Sequence, residues 1–563
     1  MAMEPPEPLL AQRLQQGILL FQSNHLDAAE AVFRCILVLT PDHVVALDML
    51  GCIAHRAARY EQAMIWFRRA LHSAPADAIV HFNLATALEE QGRQREAATA
   101  YRSVLGLEPE HLKAGNRLGG VHLAMGNAGA AAEQYCQTLT RHPDQPVLHH
   151  NLGVALHRLG KAGDAERCLR RALQLAPAYG DAHYHLGSVL RERGCLEEAL
   201  PCLRRAAMLN PADARIHAAL GAVCESMGRH PEALATFRRA LQAAPEDPAL
   251  HWRLALLLLL HGDLRAGLAE YESRFMGAED YQRALGHDVM EKLAGKPRWK
   301  GGPLGGLRLL VWTEQGLGDA VMMMRYLPLL RARGAGDILV ACQPVLVTVF
   351  EALPVVHRAV AHGLPFSLEE FDLHCSMMSL PHLCGTQSDN IPGDVPYITV
   401  PPRIRDRWRN RLEAIAGCKV GLAWAGSRTH RKDALRSLPF DCLTPLLALP
   451  NVTFFSLQKD RAAEHPALAD LMTECGDFLD TAGLIQQLDL VISVDTAMAH
   501  LAGALARPVW LLNRYESEWR WMLTRTDSPW YPTMRIFRQP APGAWDRVIE
   551  QVTAALQKGI CTF

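Results

Sequence analysis

Residues 144–177 read DQPVLHHNLGVALHRLGKAGDAERCLRRALQLAP, a stretch of 34 residues that closes on a proline. The same proline recurs at 41, 75, 109, 143, 177, 211 and 245, and every interval is 34. Strict periodicity of this length is the mark of a solenoid, in which each unit is one supersecondary element stacked on the next. Outward from the proline the rest of the unit repeats as well. A small residue returns as Gly17, Gly51, Ala85, Gly119, Gly153, Gly187, Gly221 and Ala255. A second returns as Ala29, Ala63, Ala97, Ala131, Ala165, Ala199 and Ala233, and four residues on comes Phe33, Phe67, Tyr101, Tyr135, Leu169, Leu203 or Phe237. The small residues predict two helices, A and B, in close approach, with the large one filling the groove between neighbouring units. The proline ends helix B, because it cannot continue the helix and restricts the residue before it.

This pattern resembles the tetratricopeptide family over about residues 8–276, roughly eight units with the last lacking its proline. Two ladders run through it. Histidine recurs as His81, His149, His183, His217 and His251, which reads as packing between helices before it reads as a metal or pH-sensing column. Asn83, Asn151 and, at the matching place, His185 form the second. In the tetratricopeptide arrays of O-linked sugar transferases an Asn here lines the concave face and clamps an extended substrate. The three are therefore candidate partner-binding residues, although the interrupted ladder fits a folded partner equally well.

After residue 276 the grammar changes. Residues 277–305 read as a linker with one short helix, ending in Gly, Pro and basic residues. Leu307–Trp312, Ile338–Ala341, Val420–Ala425, Val452–Leu457, Leu490–Val494 and Val509–Leu512 are short apolar runs of the kind buried parallel strands give. Helical stretches alternate with them: 320–333, 345–352, 443–449, 481–488, one from about 496, and an amphipathic tail at 545–558. The expectation is an all-α solenoid followed by an α/β pair of Rossmann-like halves, 306–416 and 417–563, with the site in the cleft between them.

Three turns carry chemistry. Glu314-Gln-Gly-Leu-Gly-Asp319 has a G-x-G but Val321 where a dinucleotide turn needs a third glycine. An aspartate at the head of the helix would also repel a pyrophosphate, so hydride chemistry is disfavoured. Asp319 equally suits a helix cap. Trp424-Ala-Gly-Ser-Arg-Thr-His-Arg-Lys432, continuing to Arg436, places small residues, hydroxyls and cations after a strand. That composition suits a polyphosphate cradle or a solvated basic loop. Ser493-Val-Asp-Thr-Ala-Met-Ala-His500 crosses from strand to helix, where free amides suit a diphosphate.

Together these turns resemble the GT-B glycosyltransferases of the heptosyltransferase-like superfamily (glycosyltransferase family 9) over about 299–558. Trp519-Arg-Trp521 and Ser528-Pro-Trp-Tyr-Pro532 resemble a bacterial subgroup fused to tetratricopeptide arrays. The resemblance implies Asp319 as the general base. It implies Ser427, Lys432 and Arg436 as phosphate contacts, and Asp495, Thr496 and His500 as the donor-binding turn. The implied reaction is inverting displacement, metal-independent and without a cofactor, the nucleotide-sugar being a substrate. Ala497, where heptosyltransferases often have Gly, and the short first half argue against assuming heptose as donor or a lipid A core as acceptor.

Bulk properties narrow the partners. A formal charge of −1 gives no general attraction to nucleic acid. The 14 cysteines include no C-x-x-C pair, which suggests buried thiols in a reducing compartment. The start MAMEPPEPLL lacks a signal-peptide pattern, and the longest apolar run, 254–260, is too short to span a bilayer. The sequence thus predicts a cytoplasmic glycosyltransferase acting on Ser or Thr of a protein held by the repeats, flagellin being one candidate. A binding-only scaffold with a degenerate transferase half, or transfer to a glycan or lipid, are the alternatives.

Overall fold

The computed structural model describes residues 7–276, 293, 295–363, 367–427, 433–459 and 465–559. The chain divides into two compact units, Met1–Ala244 and Pro245–Phe563.

The first unit is a run of antiparallel helix pairs. From Val44 onward each A helix has 13 residues and each B helix 14, as in Val44–Arg56 with Tyr60–Ser73 and Pro146–Arg158 with Ala162–Leu175. The small–large pattern is met inside each repeat. A Cβ at Gly51 would lie 2.3 Å from the Phe67 ring, one at Gly119 2.4 Å from Tyr135, and one at Gly187 2.5 Å from Leu203. The large residue of helix B therefore seats first on the small residue of its own helix A. The residue before each boundary proline has left the helical region, as proline requires: φ is −134° at Thr40, −139° at Ala176 and −137° at Ala244.

Between helices A and B the chain passes through a left-handed residue, a conformation natural to glycine: Gly92, Gly126, Gly160, Gly194, Gly228 and Gly262. Asn24 and Ala58 occupy the same place in the first two repeats, at φ +61° and +57°.

The histidine ladder has a specific structural use. The Nε2 atoms of His81, His149, His183, His217 and His251 lie 3.0, 2.7, 3.0, 2.8 and 2.8 Å from the carbonyl oxygens of Pro75, Pro143, Pro177, Pro211 and Pro245. A carbonyl only accepts, so each ring donates from Nε2 and ties helix A to the preceding boundary.

The second unit begins inside the repeat pattern. Helices Pro248–Leu260 and Leu264–Tyr271 complete a last pair and belong to the same compact body as the sheets. Four strands, β1 (Leu309–Trp312), β2 (Ile338–Cys342), β3 (Arg358–Ala361) and β4 (Leu373–Ser376), form a parallel sheet in the order β3-β2-β1-β4. Six more make a second parallel sheet in the order β10-β9-β8-β5-β6-β7. They are β5 (Cys418–Ala423), β6 (Val452–Ser456), β7 (Leu468–Asp470), β8 (Leu490–Val494), β9 (Val509–Asn513) and β10 (Met534–Arg538). The six expected strands are all present.

The helix expected at 320–333 is instead broken into Leu317–Met323, a 3₁₀ turn Met324–Tyr326 and Leu327–Ala332, with Pro328 near the start of the last piece. β3, β4, β7 and β10 carried too few consecutive apolar residues to be read as strands. The linker helix expected after 276 falls largely outside the described residues.

Candidate functional site

β1 is buried along its length and ends at Trp312. The chain then turns through Gln315, left-handed at φ +64°, into the short helix Leu317–Met323. Asp319 sits in the first turn of that helix. Its Oδ2 accepts from the Gly316 amide at 3.1 Å, so the carboxylate serves the helix start from within rather than from the cap position. Its Oδ1 pairs with the Arg520 guanidinium.

In the second sheet, β8 ends at Val494 and the helix Ala497–Ala504 begins after Thr496, whose side chain makes no cap hydrogen bond to it. The Thr496 hydroxyl instead meets Ser493 Oγ at 3.0 Å. Asp495 is largely but not wholly buried, and burial pushes its carboxyl up despite the nearby Arg520 and Arg436. Its backbone carbonyl accepts from Arg436 Nη1 at 3.1 Å. Arg436 also pairs with Asp433, at 3.3 Å, and its guanidinium fills the space beside Gly426, where a Cβ would lie 2.4 Å from Nη2. Two predicted residues from different turns, Arg436 and Asp495, are thus in contact. Ser427 is exposed at the carboxyl end of the same sheet, while Lys432 lies outside the described residues.

His500 is buried one turn into the helix. Its Nδ1 lies 3.0 Å from Tyr531 Oη, and its ring stacks on Trp521 with centroids 5.1 Å apart. Its Nε2 is 4.0 Å from Asp495 Oδ1. Desolvation, then the charges of Arg520 and Arg325, push the imidazole well below its ordinary range, so it stays neutral. On its other side it faces the first turn: a Cβ on Gly318 would lie 2.6 Å from His500 Cδ2. Gly318 is therefore required by close approach, and through it the Asp319 turn rests on the helix Ala497–Ala504.

A further contact, from Arg325 to Trp530, joins the two halves, and Arg325 is braced by Tyr397 within the first half. Arg325 donates to Tyr397 Oη at 3.1 Å and to the Trp530 carbonyl, and Tyr397 Oη donates to the Val321 carbonyl at 3.1 Å. Arg325, Arg520 and Tyr531 had no assigned role in the sequence reading. The signal that could have found Arg520 is a lone cation between two tryptophans, Trp519 and Trp521.

In the first unit the Asn ladder is satisfied internally. Asn83 Nδ2 donates to Asp48 Oδ1 at 2.9 Å, and Asn151 Nδ2 to Asn116 Oδ1 at 2.8 Å, each one repeat back. His185 packs its ring against His150, with centroids 5.1 Å apart. The three residues follow one column, and each leans on the residue just before its counterpart in the preceding repeat.

Comparison with known proteins bears on both units. Tetratricopeptide repeat families match residues 14–78, 82–146, 146–179, 178–246 and 225–278. The model described as glycosyltransferase family 9 (heptosyltransferase) matches residues 453–552. The chain carries tetratricopeptide repeats and a heptosyltransferase-like C-terminal domain. The family 9 match takes in Asp495, Thr496 and His500 but not Asp319, Ser427 or Arg436.

Protein FlbA of Caulobacter vibrioides is 32% identical over 332 residues, 54% of each chain. The human protein O-mannosyl-transferase TMTC1 is 45% identical over 53 residues, 9% of this chain and 6% of its own. The chain therefore spans about half the length of one curated relative and a small part of the other. A tetratricopeptide repeat protein from Parabacteroides merdae shares 16% identity with a TM-score of 0.36, over 44% of this chain and 98% of its own. No helix among the described residues is long and apolar enough to cross a membrane.

Proposed function

We propose that this chain is a GT-B glycosyltransferase that moves a sugar from a nucleotide-sugar to a hydroxyl of a protein held by its repeats. One observation carries the reading: the Asp319 turn of the first sheet rests, through Gly318, on His500 in the helix of the second sheet. That helix lies inside the region similar to heptosyltransferases. A carboxylate and an uncapped helix start are brought to one place, as transfer from a diphosphate donor requires.

In the proposed reaction Asp319 takes the proton of the acceptor hydroxyl as its oxygen attacks the anomeric carbon. The bond from that carbon to the diphosphate oxygen breaks with inversion, and the nucleoside diphosphate leaves with the electron pair. Ser427, Lys432, Arg436 and the amides after Asp495 and Thr496 stabilise the leaving charge, without a divalent metal or other cofactor in this proposal. The acceptor would be Ser or Thr, with flagellin a candidate and the column of Asn83, Asn151 and His185 part of the holding surface.

One observation favours a second reading, a protein that binds without transferring. Both oxygens of Asp319 are engaged, by Gly316 and by Arg520. Thermal shift with ADP, GDP, UDP and CMP tests the donor side, because a bound nucleotide raises apparent stability. Intact masses of proteins co-purified with the full chain, wild type and Asp319→Asn, test the transfer. A sugar-sized increase with the wild type alone supports catalysis. An increase with both removes Asp319 as base. Nucleotide binding with no increase in either favours the binding-only reading.

A further inference from the structure

The E-Q pair that opens the Asp319 turn is occupied by the last repeat. Glu314 is 4% exposed and receives Arg274 on both carboxylate oxygens, Nη2 to Oε1 at 2.9 Å and Nε to Oε2 at 3.2 Å. Arg274 follows the last repeat helix in the 3₁₀ turn Glu272–Phe275. Its remaining donors reach the Tyr271 carbonyl at 3.0 Å, Glu272 Oε1 at 2.6 Å and Ser379 Oγ at 2.7 Å. Ser376, at the end of β4, donates to Glu314 as well. A buried charge pair persists only when its polar atoms are satisfied like this. The same repeat holds the neighbouring residue, Gln315 Nε2 donating to Tyr271 Oη, while from the end of β2 Gln343 Nε2 donates to the Gln315 carbonyl at 3.1 Å.

Gln315 is left-handed at φ +64°, a strained conformation for a non-glycine residue that persists only where its surroundings hold it. The next residue, Gly316, supplies the amide that fixes Asp319 Oδ2. Thus Tyr271 sets Gln315, Gln315 delivers Gly316, and Gly316 holds the carboxylate.

We propose that Tyr271 and Arg274 are positioning residues, by which the last repeat fixes the geometry of the Asp319 turn. The consequence for catalysis rests on the proposed role of Asp319 as base; the mechanical link does not. The repeat nearest the transferase is then part of the catalytic body, a role distinct from holding cargo.

Tyr271→Phe in the full chain removes one hydroxyl and leaves the ring packed at a tilt against Trp252, at 4.9 Å between centroids. Hydrogen exchange of the amides at 314–320 is expected to quicken about fivefold to tenfold, the effect of one lost hydrogen bond, with β8 and β9 unchanged. With UDP-N-acetylglucosamine, GDP-mannose and ADP-heptose as donors, kcat is expected to fall on the order of tenfold while the donor KM holds. Unchanged exchange at 314–320 overturns the proposal. Faster exchange in an enzyme whose wild type turns over none of the three donors upholds the link and counts against the transfer reading instead.

A second comparison separates positioning from mere docking. Replacing both charges, Arg274→Met with Glu314→Met, is expected to recover the stability lost in Arg274→Met alone but not its kcat. Recovery of both would make the pair a plain structural contact and overturn the positioning role.

Discussion

Arg520 and Asp319 lie about two hundred residues apart in sequence and form a largely buried ion pair, each side chain 12% exposed. Glu518 lies 3.9 Å from the same guanidinium, and the Trp519 ring packs against it with the centroid 4.7 Å away. One arginine from the second half thus holds the carboxylate that heads the first half's turn. Removing one partner of a buried pair strands the other's charge, so Arg520→Gln should cost about 2–4 kcal/mol. The double variant with Asp319→Asn should recover part of that loss. A urea double-mutant cycle should therefore give a coupling above about 1 kcal/mol, and simple additivity would mean the pair holds nothing.

Gly318 is the second bond between the halves, and it works by absence of a side chain. The His500 ring it faces cannot retreat easily, being held behind by Tyr531 and Trp521. Gly318→Ala should therefore overpack the contact and cost about 1–3 kcal/mol. If the cleft transfers sugar, turnover should fall more than tenfold, the size expected when a reacting group is displaced by about 1 Å. Gly163, in a repeat helix, has nothing within 4 Å of its would-be Cβ. Gly163→Ala should raise stability by about 0.5–1 kcal/mol, because alanine is the better helix former. Equal thermal shifts for the two variants would contradict the close approach.

What could be read in advance divides by range. The seven prolines and the Gly51–Phe67 type of pair are local or one helix apart, so periodicity exposed them. Strands such as β1 and β8, buried on both faces, announce themselves as apolar runs. β4 (Leu373–Ser376) does not, because His374 and Ser376 interrupt it, and only its pairing with β1 makes it a strand. The three turns were legible as motifs, yet Arg520, Tyr531 and Tyr271 meet them only through the fold. The glycine column from Gly92 to Gly262 recurs at the same period and marks each A-to-B turn from the third repeat on.

That column makes its own test. Ala58 is left-handed at φ +57°, where its Cβ crowds the following carbonyl. Ala58→Gly removes the clash and adds backbone entropy to the unfolded chain, so the gain should be modest, at most about 1 kcal/mol. Gly160, at φ +73° with open space around it, is the mirror case. Gly160→Ala should cost about 1 kcal/mol through backbone strain alone. Helix melting by circular dichroism reads both, and two shifts of the same sign would refute the argument.

His185 gives the repeats a pH dependence of definite sign. Burial, then the neighbouring His150, His157, Arg215 and Arg158, pushes its pKa down to about 4. Above pH 6.5 the imidazole is neutral folded or unfolded, and it contributes no slope. Between 6.5 and about 4 the unfolded chain takes up a proton that the folded one refuses. Stability should therefore fall with falling pH, by up to about 1.4 kcal/mol per unit, and level off below the folded value. His185→Asn restores the residue type that Asn83 and Asn151 place in this column and removes the titration. Its neighbour His150 is also pushed down by burial and keeps its own share of the slope in both proteins. The difference between wild-type and His185→Asn urea midpoints, measured from pH 7 to 4, should thus grow in the variant's favour as acid is added. Parallel curves would show that His185 takes up its proton without cost in the folded array.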